Sequence, residues 1–294
     1  MKLINSSVEI IPQQDGIDGI YKQIELAGRT AYKSEDKITE DSAKVFVDML
    51  CNKGHTAPLE HGTIYITATR KQVEADGLFG DFSILMTNKY SVCKTDIFER
   101  TYYITTNYRV LLQNDILSLL RYAGPRTGAH EERITARFIC SRAIGNELVR
   151  HRVFSFVQES TRYCNYSKSK FNNEITYIIP TWLPLDEGTY FQLTLVDFEN
   201  IDSKITYFDA ASVSFLTAIG TAESEYFDLL KYGNVTPQCA REVLPLALKT
   251  ELVMTGFASD WLTFFKLRCD NAAHPDMRKL AEDLQEKFNR RCEE

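Results

Sequence analysis

Residues 150–163 read RHRVFSFVQESTRY. Within fourteen residues this stretch carries three Arg, one His, one Gln, one Glu, two Ser, one Thr and one Tyr. Such a run is costly to bury unless its groups pair with one another or with a ligand. Arginine offers a planar fork of donors that suits a phosphate or a carbonyl-rich ring. Successive side chains on a helix point about 100° apart. Arg150, His151 and Arg152 at a helix end therefore face different surfaces, such as two ligands or two subunits.

The surroundings of this stretch set the fold class. Upstream, ITARFI (134–139) has the character of a strand, and AIGNELVRH (143–151) reads as a helix that carries the first two members of the basic triplet. GTIYITAT (62–69) alternates, with Ile64, Ile66 and Ala68 on one face. RTYYITTN (100–107) is extended, and VLLQNDILSLL (110–120) reads as a helix. Ile17, Ile20, Tyr21, Ile24 and Ala27 keep helical spacing. A second helix opens near Thr39–Asp41 and stops at Gly54. Towards the end, an apolar helix around Leu216, Ile219 and Tyr226 closes before Gly233. A short helix opens at Thr236–Pro237, and a last one runs from His274–Pro275 to about Arg291. Strands and helices do not alternate regularly, so the expected class is α+β: an antiparallel or mixed sheet packed against helices. A single domain over 1–294, with an insertion at about 70–128, is expected.

Composition narrows the function. Of 294 residues, 44% are hydrophobic and 25% charged, an ordinary globular balance that excludes a disordered or fibrous chain. No apolar run approaches the roughly 18 residues of a membrane span. The opening MKLINSSVEIIPQQDG lacks a signal-peptide pattern, so a cytoplasmic protein is expected. Seven single cysteines without a CxxC argue against a disulfide framework or a structural zinc site. The net charge of −6 argues against a general nucleic-acid binder. Residues 142–170, however, hold six Lys/Arg and two Glu, a local +4 that leaves −10 for the rest. A basic island in an acidic chain points to a local anion site.

The spacing RHR, seven residues, then Ser160, followed by Thr161-Arg162-Tyr163, resembles the signature of the flavin-dependent (alternative) thymidylate synthases. AGRTAYKS (27–34), GHTAPLEH (54–61), AREVLPL (240–246) and FFKLR (264–268) resemble the same family in the same order. The likeness covers roughly 1–69 and 129–290. It implies an enzyme that converts dUMP to dTMP. Methylenetetrahydrofolate would supply the carbon, and FAD reduced by NADPH the hydride. It also implies a homotetramer with active sites between subunits, partnered by small molecules rather than nucleic acid or membrane.

The resemblance assigns residues one by one. For dUMP it implies Glu147, Arg150, Gln158, Ser160, Thr161, Arg162, Arg241 and Arg268, with Arg268 and Ser160 as the catalytic pair. Arg268 falls at the uracil edge, where a fixed cation favours an ionised ring; it cannot act as a base. For FAD it implies Arg150, His151, Arg152, His55, Glu60, Gln158, Ser259 and Thr263. The sequence departs from the family pattern at several of these places. Phe257-Ala258-Ser259 replaces an Asn-x-Arg, Thr263 replaces an Asn, and Ala57 replaces a hydroxyl residue.

Other readings of the same residues are weaker. His55, Glu60 and His61 do not have the spacing of a helical zinc motif, and no metal is expected. Ser160 lacks a glycine elbow, and Cys164 is expected to pack near the site rather than attack a substrate. The alternative function is a non-catalytic nucleotide- or RNA-binding protein using the basic 142–170 segment.

Overall fold

The computed structural model describes residues 1–162, 164–168, 173–190 and 209–291. Tyr163, Lys170 and Cys292 lie outside the described residues. The described residues are mixed α and β and form three sheets, each over its own apolar core.

The main sheet is four-stranded and antiparallel, in the order Ser7–Ile11, Arg133–Ser141, Lys249–Phe257, Ser155–Gln158. Its long strand Lys249–Phe257 is almost wholly buried. Side chains alternate across a strand. Leu252 and Met254 therefore join Phe138, Trp261, Phe264 and Leu280 in the core beneath helices Ala258–Arg268 and Pro275–Arg291. Glu251 and Thr255 meet polar partners, Lys33 and His61, from the N-terminal third. This strand, to which its local spacing assigns no element, is the hub of the sheet.

A second sheet orders Thr63–Thr69, Thr101–Asn107 and Val92–Asp96. Ile64, Ile66 and Ala68 are buried as the alternation predicts, in a core shared with helices Gly16–Tyr32 and Ser42–Lys53. Gly54 ends the second of these helices in the left-handed conformation (φ 68°). Strands Val92–Asp96 and Thr101–Asn107 thus extend a sheet begun at Thr63, and the stretch read as extended at 100–107 is one of them. The third sheet joins Lys2–Ile4 to Thr176–Ile178 in parallel and to Gly188–Thr189 in antiparallel fashion, over helix Ala210–Lys231.

Two expected helices are shorter than their sequence pattern. Over 110–120 the chain forms a helix Tyr108–Gln113, a left-handed residue Asp115 (φ 58°) and a 3-10 turn Leu117–Tyr122. Asn107 Oδ1 caps the start of this helix, accepting from the Val110 N–H at 3.2 Å, while at its end Asn114 Nδ2 competes for the Val110 carbonyl at 2.8 Å. The helix at 143–151 runs only over Arg142–Leu148. Beyond it, i to i−3 bonds from Arg150 to Glu147 (3.3 Å) and from His151 to Leu148 (3.1 Å) tighten the chain towards strand Ser155–Gln158. The basic triplet therefore sits in a turn.

Candidate active site

Strand Ser155–Gln158 pairs Gln158 with Leu252 on the long strand. The pairing continues one residue further, with the Glu159 N–H donating to the Glu251 carbonyl at 2.8 Å. The Ser160 N–H then donates to the carbonyl of Ala31 at 3.1 Å, docking the loop on the end of helix Gly16–Tyr32. Thr161 is buried and its hydroxyl accepts from Arg241 Nη1 at 3.0 Å, while Arg162 is exposed. Gln158 Nε2 donates to Thr250 Oγ1 at 3.2 Å. Gly145 makes room for it: a Cβ at Gly145 would lie 2.8 Å from that nitrogen.

Across the helix Arg142–Leu148, Arg268 closes a second cluster. Its Nε donates to His151 Nε2 at 2.8 Å, its Nη1 to Glu147 Oε2 at 2.9 Å, and its Nη2 to the Glu147 carbonyl at 3.4 Å. His151 turns inward against Phe264, with ring centroids 5.1 Å apart. Burial, and then the Arg268 charge, push His151 down to about 4. It is therefore neutral near pH 7, accepts through Nε2 and keeps its proton on Nδ1. Arg150 and Arg152, on either side, are exposed and make no ion pair among the described residues.

A cleft of about 500 Å³ opens on the other side of Gln158, lined by Tyr32, His55, Pro58, Arg109 and Phe156 among others. Tyr32 and His55 stack with centroids 6.3 Å apart, joined by a 2.6 Å bond from the phenol oxygen to Nδ1. Glu60 pairs with Arg109. Ser259 and Thr263 lie on the exposed face of helix Ala258–Arg268, where Thr263 Oγ1 bonds the Ser259 carbonyl at 3.5 Å. The Phe257 ring sits 5.6 Å from the Arg133 guanidinium.

The structure thus forms three groupings: Glu147 with His151 and Arg268, Thr161 with Arg241, and Gln158 with His55 at the cleft. Among the described residues no hydrogen bond links the Arg241 pair to the Arg268 cluster. His55 and His61 have separate partners. His61 is fully buried, bonds Thr255 Oγ1 at 2.7 Å, and is pushed down to about 3 by burial and then by Arg133. Among the described residues no group of three or more His, Cys, Asp or Glu could hold a metal ion. Cys164 is buried, with its thiol 3.7 Å from Glu159 Oε1.

Sequence reasoning missed Arg109 and a buried charge network, and took Arg142 only as part of the basic 142–170 segment. Lys249 donates to Glu159 Oε2 at 3.0 Å and to Glu251, which also pairs with Lys33. The Glu251 N–H donates to Glu159 Oε2 at 3.2 Å. Lys249 and Glu251 stand one residue apart on each side of Thr250, an alternation that would have put both on one strand face had the strand been recognised.

Fold and site together define an α+β protein with clustered arginines. The family model described as "Thymidylate synthase complementing protein" matches residues 113–293, and the chain belongs to that family. Curated relatives carry the name flavin-dependent thymidylate synthase. That of Synechocystis sp. is 27% identical over 153 residues, covering 50% of this chain and 62% of the relative. That of Corynebacterium aurimucosum is 30% identical, covering 48% and 51%. That of Pyrococcus furiosus is 29% identical, covering 52% of each. The chain thus spans between about half and three fifths of the length of these relatives. Among solved structures, a UMP/dUMP methylase PolB from Streptomyces cacaoi bound with 5-Br UMP superposes with TM-score 0.44 at 16% identity, covering 99% of this chain and 92% of the other.

Proposed function

We propose that this chain is a flavin-dependent thymidylate synthase. It would methylate dUMP to dTMP with methylenetetrahydrofolate as carbon donor, FAD as flavin and NADPH as reductant. The observation that carries the reading is the junction of Arg268 with His151 and Glu147, residues more than a hundred positions away that the resemblance assigned to FAD and to dUMP respectively. A cation held by three hydrogen bonds keeps its orientation, which is what electrostatic stabilisation of an ionised uracil edge requires. Gln158 would orient the uracil amide edge, and Arg241, fixed by Thr161, would hold the phosphate.

The residues fit FAD. The cleft offers the stacked Tyr32–His55 pair, apolar walls from Pro58 and Phe156, and the amide of Gln158 to a flat ring. The exposed Arg150 and Arg152 would take the diphosphate. When bound, FAD supplies the hydride it has received from NADPH. His151, neutral and donating through Nδ1, can hydrogen-bond an acceptor without adding charge.

Arg150, Ser259 and Thr263 face outward from a single chain, which supports a site completed by a neighbour in a homotetramer. We take 1–294 as one catalytic domain, working in the cytoplasm. Among the described residues no helix is long and apolar enough to cross a membrane. The test is an absorbance spectrum: bound flavin absorbs near ~450 nm and bleaches with NADPH. Protein that stays colourless after reconstitution with excess FAD would overturn the reading.

A further inference from the structure

The cavity beside Thr161 holds two arginines. It measures about 260 Å³ and is lined by Arg142, Thr161, Arg241, Glu242, Leu246 and Leu248, among others. Arg142 is anchored there by its backbone, since its N–H donates to the Leu248 carbonyl at 2.9 Å and the Ala143 N–H to the Leu246 carbonyl at 3.2 Å. Arg241 spends one donor on the neutral Thr161 hydroxyl. Among the described residues the Arg142 side chain has no hydrogen bond and no ion pair, and its Nη1 is buried without a partner.

That arrangement is unfavourable in isolation. A guanidinium has five donors and stays charged at any accessible pH. A buried donor left unmet loses its solvation without compensation. Two like charges in one cavity also repel, and among the described lining residues only Glu242 offers a carboxylate. Cys140 and Tyr166, two further ionisable groups that feel the Arg142 charge, cannot supply the missing anion. Burial pushes the Cys140 thiol up to about 12 and raises Tyr166 as well, and Arg142 offsets either only in part. Both stay neutral.

We infer that Arg142 is a second phosphate-binding arginine, which closes with Arg241 on the phosphate monoester of the nucleotide. The inference rests on the dUMP reading above and adds a residue that the signature does not contain. Two guanidiniums match the double charge of a phosphate monoester. The ligand would fill the unmet donors of Arg142 and relieve the repulsion between the two arginines.

Calorimetry on the FAD-loaded protein tests this with two ligands, dUMP and deoxyuridine, which differ only in the phosphate. Arg142→Gln is expected to weaken dUMP by about 10- to 100-fold, the worth of a lost charge-assisted hydrogen bond, and to leave deoxyuridine unchanged. Arg142→Lys, which keeps charge but loses the fork, should fall between. It also serves if the glutamine variant fails to fold. Unchanged dUMP affinity in a folded Arg142 variant, or equal losses for both ligands, would overturn the inference. If Arg241→Gln weakens dUMP while Arg142→Gln does not, the inference falls and the dUMP reading stands. If the wild-type protein binds no dUMP, the reading falls and takes this inference with it.

Discussion

Replacing Lys249 with Met should cost about 3–5 kcal/mol of stability, the usual loss when one member of a buried ion pair is removed. The magnitude follows from the network under the Ser160 loop. Lys249 Nζ lies 3.0 Å from Glu159 Oε2 and also pairs with Glu251. The side chains of Lys249, Glu159, Glu251 and Lys33 are only 14%, 3%, 12% and 16% exposed, so water screens them little. At that separation and an effective dielectric of about 20, one pair attracts by roughly 5–6 kcal/mol before desolvation is counted. Methionine keeps the length of lysine, so the change is chiefly one of charge. Two carboxylates would then face Lys33 alone. Glu159→Leu together with Lys249→Met leaves the Lys33–Glu251 pair intact and neutral. This double variant should cost clearly less than the sum of the single changes, by about 2–3 kcal/mol of coupling. Some loss should remain, because the Glu251 N–H loses its acceptor. Burial alone would push Glu251 up, but Lys249 and Lys33 outweigh it and hold the carboxyl at about 2. Its contribution is present above the ordinary 4.5 and is lost as pH falls towards 2. The assay is urea unfolding followed by tryptophan fluorescence and circular dichroism. Single-variant costs that add to within about 0.5 kcal/mol would refute the coupled network.

Gly145→Ala places a methyl group 2.8 Å from Gln158 Nε2 and 3.2 Å from Thr250 Cγ2. It should destabilise by about 1–3 kcal/mol, as overpacking does, and weaken dUMP binding; calorimetry and thermal melts check both. Arg268→Lys keeps charge but loses the fork that spans Glu147 and His151, so dTMP formation should fall by ~10²-fold. NADPH oxidation by bound flavin should fall less; stopped-flow of the two half-reactions separates them. His61 takes up its proton near 6.5 when unfolded but only near 3 when folded. The unfolded state therefore gains protons first, and stability should drop as pH falls from 6.5 towards 3, by up to about 1.4 kcal/mol per pH unit for this group. His61→Gln should flatten that slope in urea titrations at stepped pH. Finally, Arg241→Ala and Arg268→Ala chains, each inactive alone, should recover about a quarter of sites when refolded together, if the two arginines of a site come from different subunits. Activity absent despite demonstrated mixing would place both in one chain.

Much of the architecture was legible because local rules decide it. The alternation of Ile64, Ile66 and Ala68 survives as a buried strand face, and Gly54 ends its helix as a glycine in the left-handed region does. The long strand was not legible. KTELVMTGF is buried on both faces, one carrying Leu252 and Met254 and the other Glu251 and Thr255. Buried charged and hydroxyl side chains blur the contrast by which a half-buried strand is recognised. The helix at 110–120 broke for a different reason: its apolar spacing was right, but Asn114 bonded the Val110 carbonyl and Asp115 took a left-handed conformation.

The order of residues in the chain by itself determined the family signature, the run of arginine, histidine and hydroxyl groups, and the local caps and turns, since each depends on neighbours a few positions away. Only the tertiary structure decided which of those groups meet. Arg268 reaches His151 and Glu147, 117 and 121 positions away, because the helix carrying it packs on the sheet whose next strands bracket the RHR turn. Arg241 reaches Thr161 across 80 positions, and Lys249 reaches Glu159 across 90. No local pattern encodes such distances. They are set by strand register and core packing, which act on all the elements at once and leave no mark on the spacing of the residues they bring together.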